Sequence, residues 1–307
     1  MSFIALLLAL LLEQARPRSA SAGIDKLFIQ WADWLRHTLD AGDKRHAWIA
    51  WGLAVVLPCA LTVLVHWLLW WFGGWFLAML WSLVVLYATL GFRRFSHHFS
   101  GIRDALSTGD DDLARELLRQ WQGDLEPNMP RSEIVRHVIE HSSISAHRHV
   151  FGVIAWFSVL AAMGLGPAGA VFFRLSALLS TDWAASSDSS QLDAAHSSPA
   201  LQEVTALAWR QVDWVPARMT GLSFAVVGNF EDAVDAWRQD AQHFPNANDG
   251  VVLAATAGAI NVRLGGVGLR PASKEALSDD PLVQPTAGRE PEVAHLRSMV
   301  GLVWRAV

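Results

Sequence analysis

Long apolar runs alternate with polar stretches along the chain. Ala47–Leu68 and Phe72–Leu90 are almost free of charge, and each approaches the roughly 20 residues that a helix needs to cross a bilayer. Gly73-Gly74 and the surrounding tryptophans mark a tight interfacial turn, so the pair is predicted to be a membrane hairpin. Ser2–Leu12 is shorter. No positive residue precedes it, while Arg16 and Arg18 follow, the reverse of a secretory signal's polarity. It predicts a membrane-embedded or tilted anchor ending at Glu13. Val150–Phe173 is the next predicted span, interrupted by Gly164, Gly166, Pro167 and Gly169. That interruption predicts a bend beside a cavity or close helix packing.

The polar stretches carry helical periodicity of their own. Ile24, Leu27, Phe28, Trp31, Leu35 and Leu39 form one apolar stripe, predicting a helix lying against the membrane or against other helices. In Phe92–His149, Leu113, Leu117, Leu118 and Trp121 recur at helical spacing, with Thr108 or Asp110 as a cap. The acidic cluster Asp110-Asp111-Asp112 suits a helix N-terminus, or carboxylates that hold Mg²⁺. A second helix is predicted from Pro130 to His149. Glu133, Arg136, Glu140 and His147 share one face of it, which suits an anion or cofactor site or an ion-pair network. His137 and His141 have metal spacing, without an identifiable third ligand.

Further along, Arg174–Pro199 reads as a linker with a Ser/Asp/Ala-rich core. Leu201–Val227 is an apolar helix punctuated by Asp213 and Arg218, with Pro216 able to distort the turn between them. Charges in such a helix face protein or water. Phe230–Phe244 is helical, capped by Asn229. The turn from Pro245 to Gly250 feeds the short helix Val251–Val262, and a glycine-rich loop follows at Leu264–Leu269. That loop is neither a Walker loop nor a dinucleotide fingerprint. After the Pro/Gly-rich stretch Arg270–Glu292, Pro291–Val307 is predicted to be an amphipathic closing helix, membrane-docked in one reading.

Composition fits this pattern. There are sixteen tryptophans and only three lysines, so arginine supplies nearly all the positive charge and indoles crowd the apolar boundaries. The single cysteine, Cys59, rules out an intrachain disulfide and a thiolate zinc cluster. No basic-aromatic pattern points to nucleic acid. Glu13–His46 and Phe92–His149 carry six and eight Arg/Lys residues, whereas the loop between the first two strong spans carries none. The positive-inside rule therefore places both basic segments in the cytoplasm. The expected fold is all-α: a polytopic helical membrane protein with cytoplasmic helical segments and four to six membrane segments. Its expected divisions are an N-terminal anchor and hairpin (1–91), a cytoplasmic helical region (92–149), a membrane-associated core (150–270) and a C-terminal amphipathic tail (271–307).

Several of these strings together resemble the CobD/CbiB family of cobalamin biosynthesis and its relative AmpE. They are Asp213-Trp214-Val215-Pro216-Ala217-Arg218, Asp240-Ala241-Gln242-His243 with Pro245-Asn246-Ala247, and Ala257-Gly258-Ala259 through Val262-Arg263-Leu264-Gly265-Gly266. Glu140 resembles the acidic position of the family helix that precedes a membrane segment. The likeness extends over about residues 1–270.

The resemblance implies a multi-pass protein of the bacterial inner membrane. For CobD/CbiB members it implies ATP-dependent amide ligation of aminopropanol, or its phosphate, to adenosylcobyric acid, an adenosylcobinamide(-phosphate) synthase-like activity. It implies Mg²⁺ and ATP as cofactors. Glu140, Asp213, Asp240 and His243 would be catalytic, Asp213 and Asp240 would hold the metal, and Arg174, Arg218, Asn246 and Arg263 would bind substrate or phosphate. The chain departs from the synthases at two places. The Arg-Ala-Val-Asn-Thr-Leu-Asp-like string is here Arg174-Leu175-Ser176-Ala177-Leu178-Leu179, which keeps only the arginine. The Glu-Asn string is replaced after Glu140 by His141–His147. Leu160–Leu178 and Leu222–Phe230 resemble AmpE, which implies a non-enzymatic membrane factor in β-lactamase induction and cell-wall signalling. A membrane small-molecule-binding protein is a third reading. The expected partners are membrane lipids, a corrinoid substrate and a second copy in a homodimer, with no nucleic acid.

Overall fold

The computed structural model describes residues 2–15, 21–123, 129–185, 197–266 and 284–307. The expected Ser/Asp/Ala-rich linker core, Arg16 and Arg18, and most of the Pro/Gly-rich stretch lie outside these residues. The described chain is helical: α1 (Ser2–Ala15), α2 (Ser21–Leu39), α3 (Lys44–Thr89), α4 (Phe92–Thr108), α5 (Asp111–Gln122), α6 (Arg131–Ala146), α7 (Gly152–Ala162), α8 (Ala168–Ala185), α9 (Pro199–Val212), α10 (Trp214–Val227), α11 (Phe230–Asp240), α12 (Ala247–Ile260) and α13 (Val293–Ala306). Among the described residues, β pairing is limited to an isolated parallel bridge between Val262 and Arg289. Two helical runs, Lys44–Thr89 and Arg131–Ala162, are long and apolar enough to cross a membrane. The second joins α6 to α7 through a π-helical turn, His147–Phe151.

The chain forms two interleaved compact units. The first comprises Met1–Gly91 and Arg148–Val215, the second Phe92–His147 and Pro216–Val307.

In the first unit the expected hairpin is built within α3. Gly74 has φ 67 and ψ −165, values that break a helix and that glycine adopts without steric cost. Beyond it the Trp81 indole N–H donates to the Thr62 carbonyl at 3.3 Å. In a straight helix those residues would stand about 28 Å apart, so the chain reverses. Trp71 and Phe72, at the tip, are more than four-fifths exposed. The stripe predicted on α2 is used inward. Phe28, Ala32 and Leu35 join Ala50, Ala54 and Val55 of α3, Leu179 and Trp183 of α8, and Val204 of α9 in one buried cluster.

In the segment 150–173, where a bend or close helix packing was expected, the glycines give both. Its helix stops at Ala162, turns through Gly164 (φ 81) and Gly166 (φ 58), and doubles back as α8. A Cβ on Gly169 would stand 1.9 Å from the Trp156 carbonyl oxygen, and one on Gly152 would stand 2.0 Å from the Phe173 ring. The small residues are thus required for α7 and α8 to touch. Likewise Leu201–Val227 is two helices, parted at Asp213.

In the second unit, α5 is capped by Asp110, whose carboxylate accepts from the Leu113 N–H at 3.0 Å. Asp112 pairs with Arg115, and Asp111 lies 3.6 Å from Arg131, so the acidic cluster is engaged locally. The closing helix α13 buries Leu296, Met299, Leu302 and Val303. It meets α6, where the Ser143 hydroxyl lies 3.6 Å from the Met299 sulfur. Helices α11 and α12 approach closely because a Cβ on Gly258 would come within 2.2 Å of the Asp232 carbonyl oxygen.

Candidate functional site

The second unit gathers six of the predicted residues: Glu140, Arg218, Asp240, His243, Asn246 and Arg263. Spacing on α6 puts Glu133, Arg136 and Glu140 on one face, and they form an ion-pair ladder. Arg136 is hydrogen-bond close to Glu133, and its Nε lies 3.8 Å from Glu140 Oε1. Glu140 is 4 % exposed. Its Oε1 accepts a 2.7 Å hydrogen bond from the Gly265 N–H, while Oε2 is buried without a hydrogen bond.

The partner loop is held by its own chemistry. Helix α12 ends at Asn261, in the left-handed conformation at φ 50, where the short amide side chain tolerates that backbone. The Arg263 N–H then donates to the Arg289 carbonyl at 2.8 Å. Leu264 is fixed twice to Thr286, through its N–H to the hydroxyl at 2.9 Å and through its carbonyl from the Thr286 N–H at 2.7 Å. Gly265 follows at φ 83, with the Phe244 ring 3.3 Å from where a Cβ would sit. These constraints aim the Gly265 N–H at Glu140. The glycine loop therefore spends a backbone donor on a carboxylate of its own protein. The Arg263 side chain is exposed.

A second cluster lies at the start of α12. Asn246 caps the helix, its Oδ1 accepting from the Asn248 N–H at 3.0 Å. Asn248, 2 % exposed, accepts at its own Oδ1 from Arg218 Nη1 at 3.1 Å. Arg218 and Asn246 are thus linked through Asn248. Asp240 and His243 stand 3.7 Å apart beside this helix start, both largely covered. Gly250 lets α12 seat on the preceding turn, since a Cβ there would meet the Ala241 carbonyl oxygen at 2.1 Å.

Asp213 and Arg174 belong to the first unit. Asp213 is fully buried where α9 ends, its N–H donating to the Trp209 carbonyl at 2.9 Å. Trp156 donates its indole N–H to the adjacent Val212 carbonyl at 2.9 Å, and Arg148 lies over the Trp209 ring at 5.7 Å. Arg174 is 8 % exposed, next to Phe173, whose ring is 5.4 Å from that of Trp209.

Two participants, Asn248 and Gly265, stand outside the predicted site residues, whereas Arg136 was expected on the polar face of α6. Asn248 was legible as the second amide of an Asn-Ala-Asn string at a helix start. Among the described residues, no three His, Cys, Asp or Glu side chains gather as a metal cluster. His137 is buried, and His141 packs its ring 4.3 Å from Trp121.

The fold and these pairings define a helical protein with two runs of membrane-crossing length and a buried carboxylate latched to a glycine loop. The sequence profile of the CobD/Cbib protein family matches residues 3–189 and 203–303, nearly the whole chain. The chain belongs to the CobD/CbiB family, which is linked to cobalamin biosynthesis. It is similar to the cobalamin biosynthesis protein CobD of Stutzerimonas stutzeri (strain A1501), 29% identical over 272 residues, covering 87% of this chain and 80% of that protein. The protein of the same name from Chromobacterium violaceum is 29% identical over 182 residues, covering 59% of this chain and 54% of the relative. That of Mycobacterium tuberculosis (strain ATCC 25618 / H37Rv) is 40% identical over 100 residues, covering 29% of this chain and 30% of the relative. No solved structure matches.

Proposed function

We propose that the protein is a multi-pass inner-membrane ligase of the CobD/CbiB type, joining aminopropanol or its phosphate to adenosylcobyric acid. The observation that carries this reading is the latch between Glu140 and Gly265. Two family-like strings 125 residues apart in sequence meet at one buried carboxylate. Amide formation needs the corrin propionate activated as an acyl phosphate, then attacked by the amine with loss of phosphate and a proton. The second oxygen of Glu140 has no hydrogen bond and would accept the ammonium of the aminopropanol and take its proton. Arg218, steadied by Asn248, and Arg263 would bear on phosphate oxygens. His243, paired with Asp240, and Asn246 would orient the substrate.

Mg²⁺ commonly uses one or two carboxylates and the nucleotide's own phosphates, and a single carboxylate such as Asp240 suits that mode. Bound with ATP, it would supply charge neutralisation at the phosphates.

The test is product formation by purified protein from adenosylcobyric acid, aminopropanol phosphate and Mg·ATP, followed by mass spectrometry. Adenosylcobinamide phosphate formed by the wild type and absent with Glu140→Gln supports the reading. No product under conditions that serve a competent relative overturns it.

One observation favours the AmpE-like alternative. The residues that replace the family's Glu-Asn string are committed to packing. Ser143 is buried and donates to the Ile139 carbonyl at 2.7 Å, and His147 shares a 2.9 Å hydrogen bond with Thr220. A gene deletion that changes β-lactamase induction without cobalamin auxotrophy would select that alternative.

A further inference from the structure

The first unit holds a cavity of about 440 Å³ that the proposed ligation does not use. It lies among α1, the two arms of the α3 hairpin and the turn after α7, all within that unit. Its walls include Trp67, Trp70, Ala78, Met79 and Ala161, with His66 and Ser82 as its polar side chains. Ser82 is satisfied, its hydroxyl donating to the Ala78 carbonyl at 2.9 Å. His66 Nδ1 is buried and makes no hydrogen bond. Gly166, which also lines the cavity, packs against this ring: a Cβ there would stand 2.5 Å from His66 Cγ and 2.7 Å from its Nδ1. A volume of this size falls in the range of ligand sites, and a few polar groups in a mostly apolar wall fix an orientation.

The walls also say where the occupant comes from. Trp67, Trp70 and Trp75 line the cavity and are each about half exposed, so it is continuous with the apolar outer surface of the hairpin. Tryptophans at that density sit at a bilayer boundary.

We infer that this cavity binds one membrane phospholipid. An acyl chain lies among Ala78, Met79 and Ala161, and an ester or phosphate oxygen accepts from His66 as its Nδ1–H tautomer. The inference rests on the membrane reading above. Its test is photolabelling of the full chain reconstituted in phosphatidylethanolamine/phosphatidylglycerol vesicles doped with a phospholipid bearing a diazirine in its acyl chain. Labelled residues are mapped by peptide mass spectrometry. Ala78 and Ser82 are buried from the surrounding lipid yet face the cavity, so both are expected to be labelled along with the exposed Val56 and Leu57. Met79→Trp, which fills the cavity from a largely covered position, is expected to cut labelling of Ala78 and Ser82 about tenfold and leave Val56 and Leu57 unchanged. His66→Phe gives a second, independent reduction at the same two sites. Labelling of Ala78 and Ser82 no higher than that of the buried Ala54 and Ala50, or unaffected by both variants, overturns the pocket and leaves the membrane reading standing. Labelling nowhere on α3 overturns both.

Discussion

Glu140 is where folding and chemistry are tied together, and truncating it separates the two. Glu140→Ala removes the acceptor of the Gly265 N–H and leaves Arg136, 11 % exposed, facing Glu133 alone. A hydrogen bond to a charged group contributes about 1.5–3 kcal/mol, and a buried donor left unsatisfied costs about 1–3 kcal/mol more. The sum, about 2.5–6 kcal/mol, brackets the roughly 3–5 kcal/mol found when one member of a buried pair is removed. For a chain of this size that corresponds to a melting point lowered by on the order of 10 °C. Glu140→Gln keeps an acceptor at Oε1 and loses the charge, so its cost is about 1–2 kcal/mol. The assay is tryptophan-fluorescence melting of detergent-purified protein, paired with product formation. Gln is expected to melt within a few degrees of the wild type, by roughly that energy, while losing activity; Ala is expected to lose both. An alanine variant as stable as the wild type would refute the latch, and a glutamine variant with undiminished turnover would refute its catalytic part.

Three further outcomes follow from packing, capping and charge. Gly250→Ala drives a methyl into the Ala241 carbonyl and should destabilise the second unit by about 3 kcal/mol, seen as faster amide exchange in α11 and α12. Asp110→Ala removes the α5 cap at a cost of about 1 kcal/mol, read as early exchange confined to residues 111–117. Asp182, near the end of α8 and outside the segments read as crossing the membrane, has its carboxyl pKa raised. Burial is the main cause, the like charge of Asp33 adds to it and Arg36 opposes it. The folded form therefore holds this proton more tightly than the unfolded form. Its contribution is fully present below the unfolded pKa and is lost as pH rises through the folded one. Asp182→Asn should raise the melting point at neutral pH, and the gain should vanish below about pH 4.

What was legible in the sequence was local. Gly73-Gly74 announced the hairpin because only a positive φ reverses an apolar helix so tightly. The cap was open between Thr108 and Asp110, and Asp110 serves because its carboxylate sits three residues from its donor, Leu113. The face shared by Glu133, Arg136 and Glu140 followed from helical spacing alone. The doubling back of α8 on α7 was not legible, because glycines serve a bend and a close packing equally well; here Gly164 and Gly166 make the turn while Gly152 and Gly169 make the contact. The destination of the Gly265 N–H was not legible either. It depends on Thr286 and Arg289 pinning the loop, and on a glutamate 125 residues away. Asn248 is marked only as an amide at a helix start; its hold on Arg218 exists only in the fold, which brings that residue from thirty positions earlier.

The interleaving of the two units sets an order of assembly during synthesis. At a translation rate of about 5–20 residues per second, Gly265 leaves the ribosome roughly 6–25 seconds after Glu140. Through that interval the first unit can be completed, since its last segment ends at Val215, while α4, α5 and α6 wait for the helices that follow Pro216. The ladder with Glu133 and Arg136 forms from residues already made, so the nascent chain has a means of keeping this carboxylate occupied until its loop arrives.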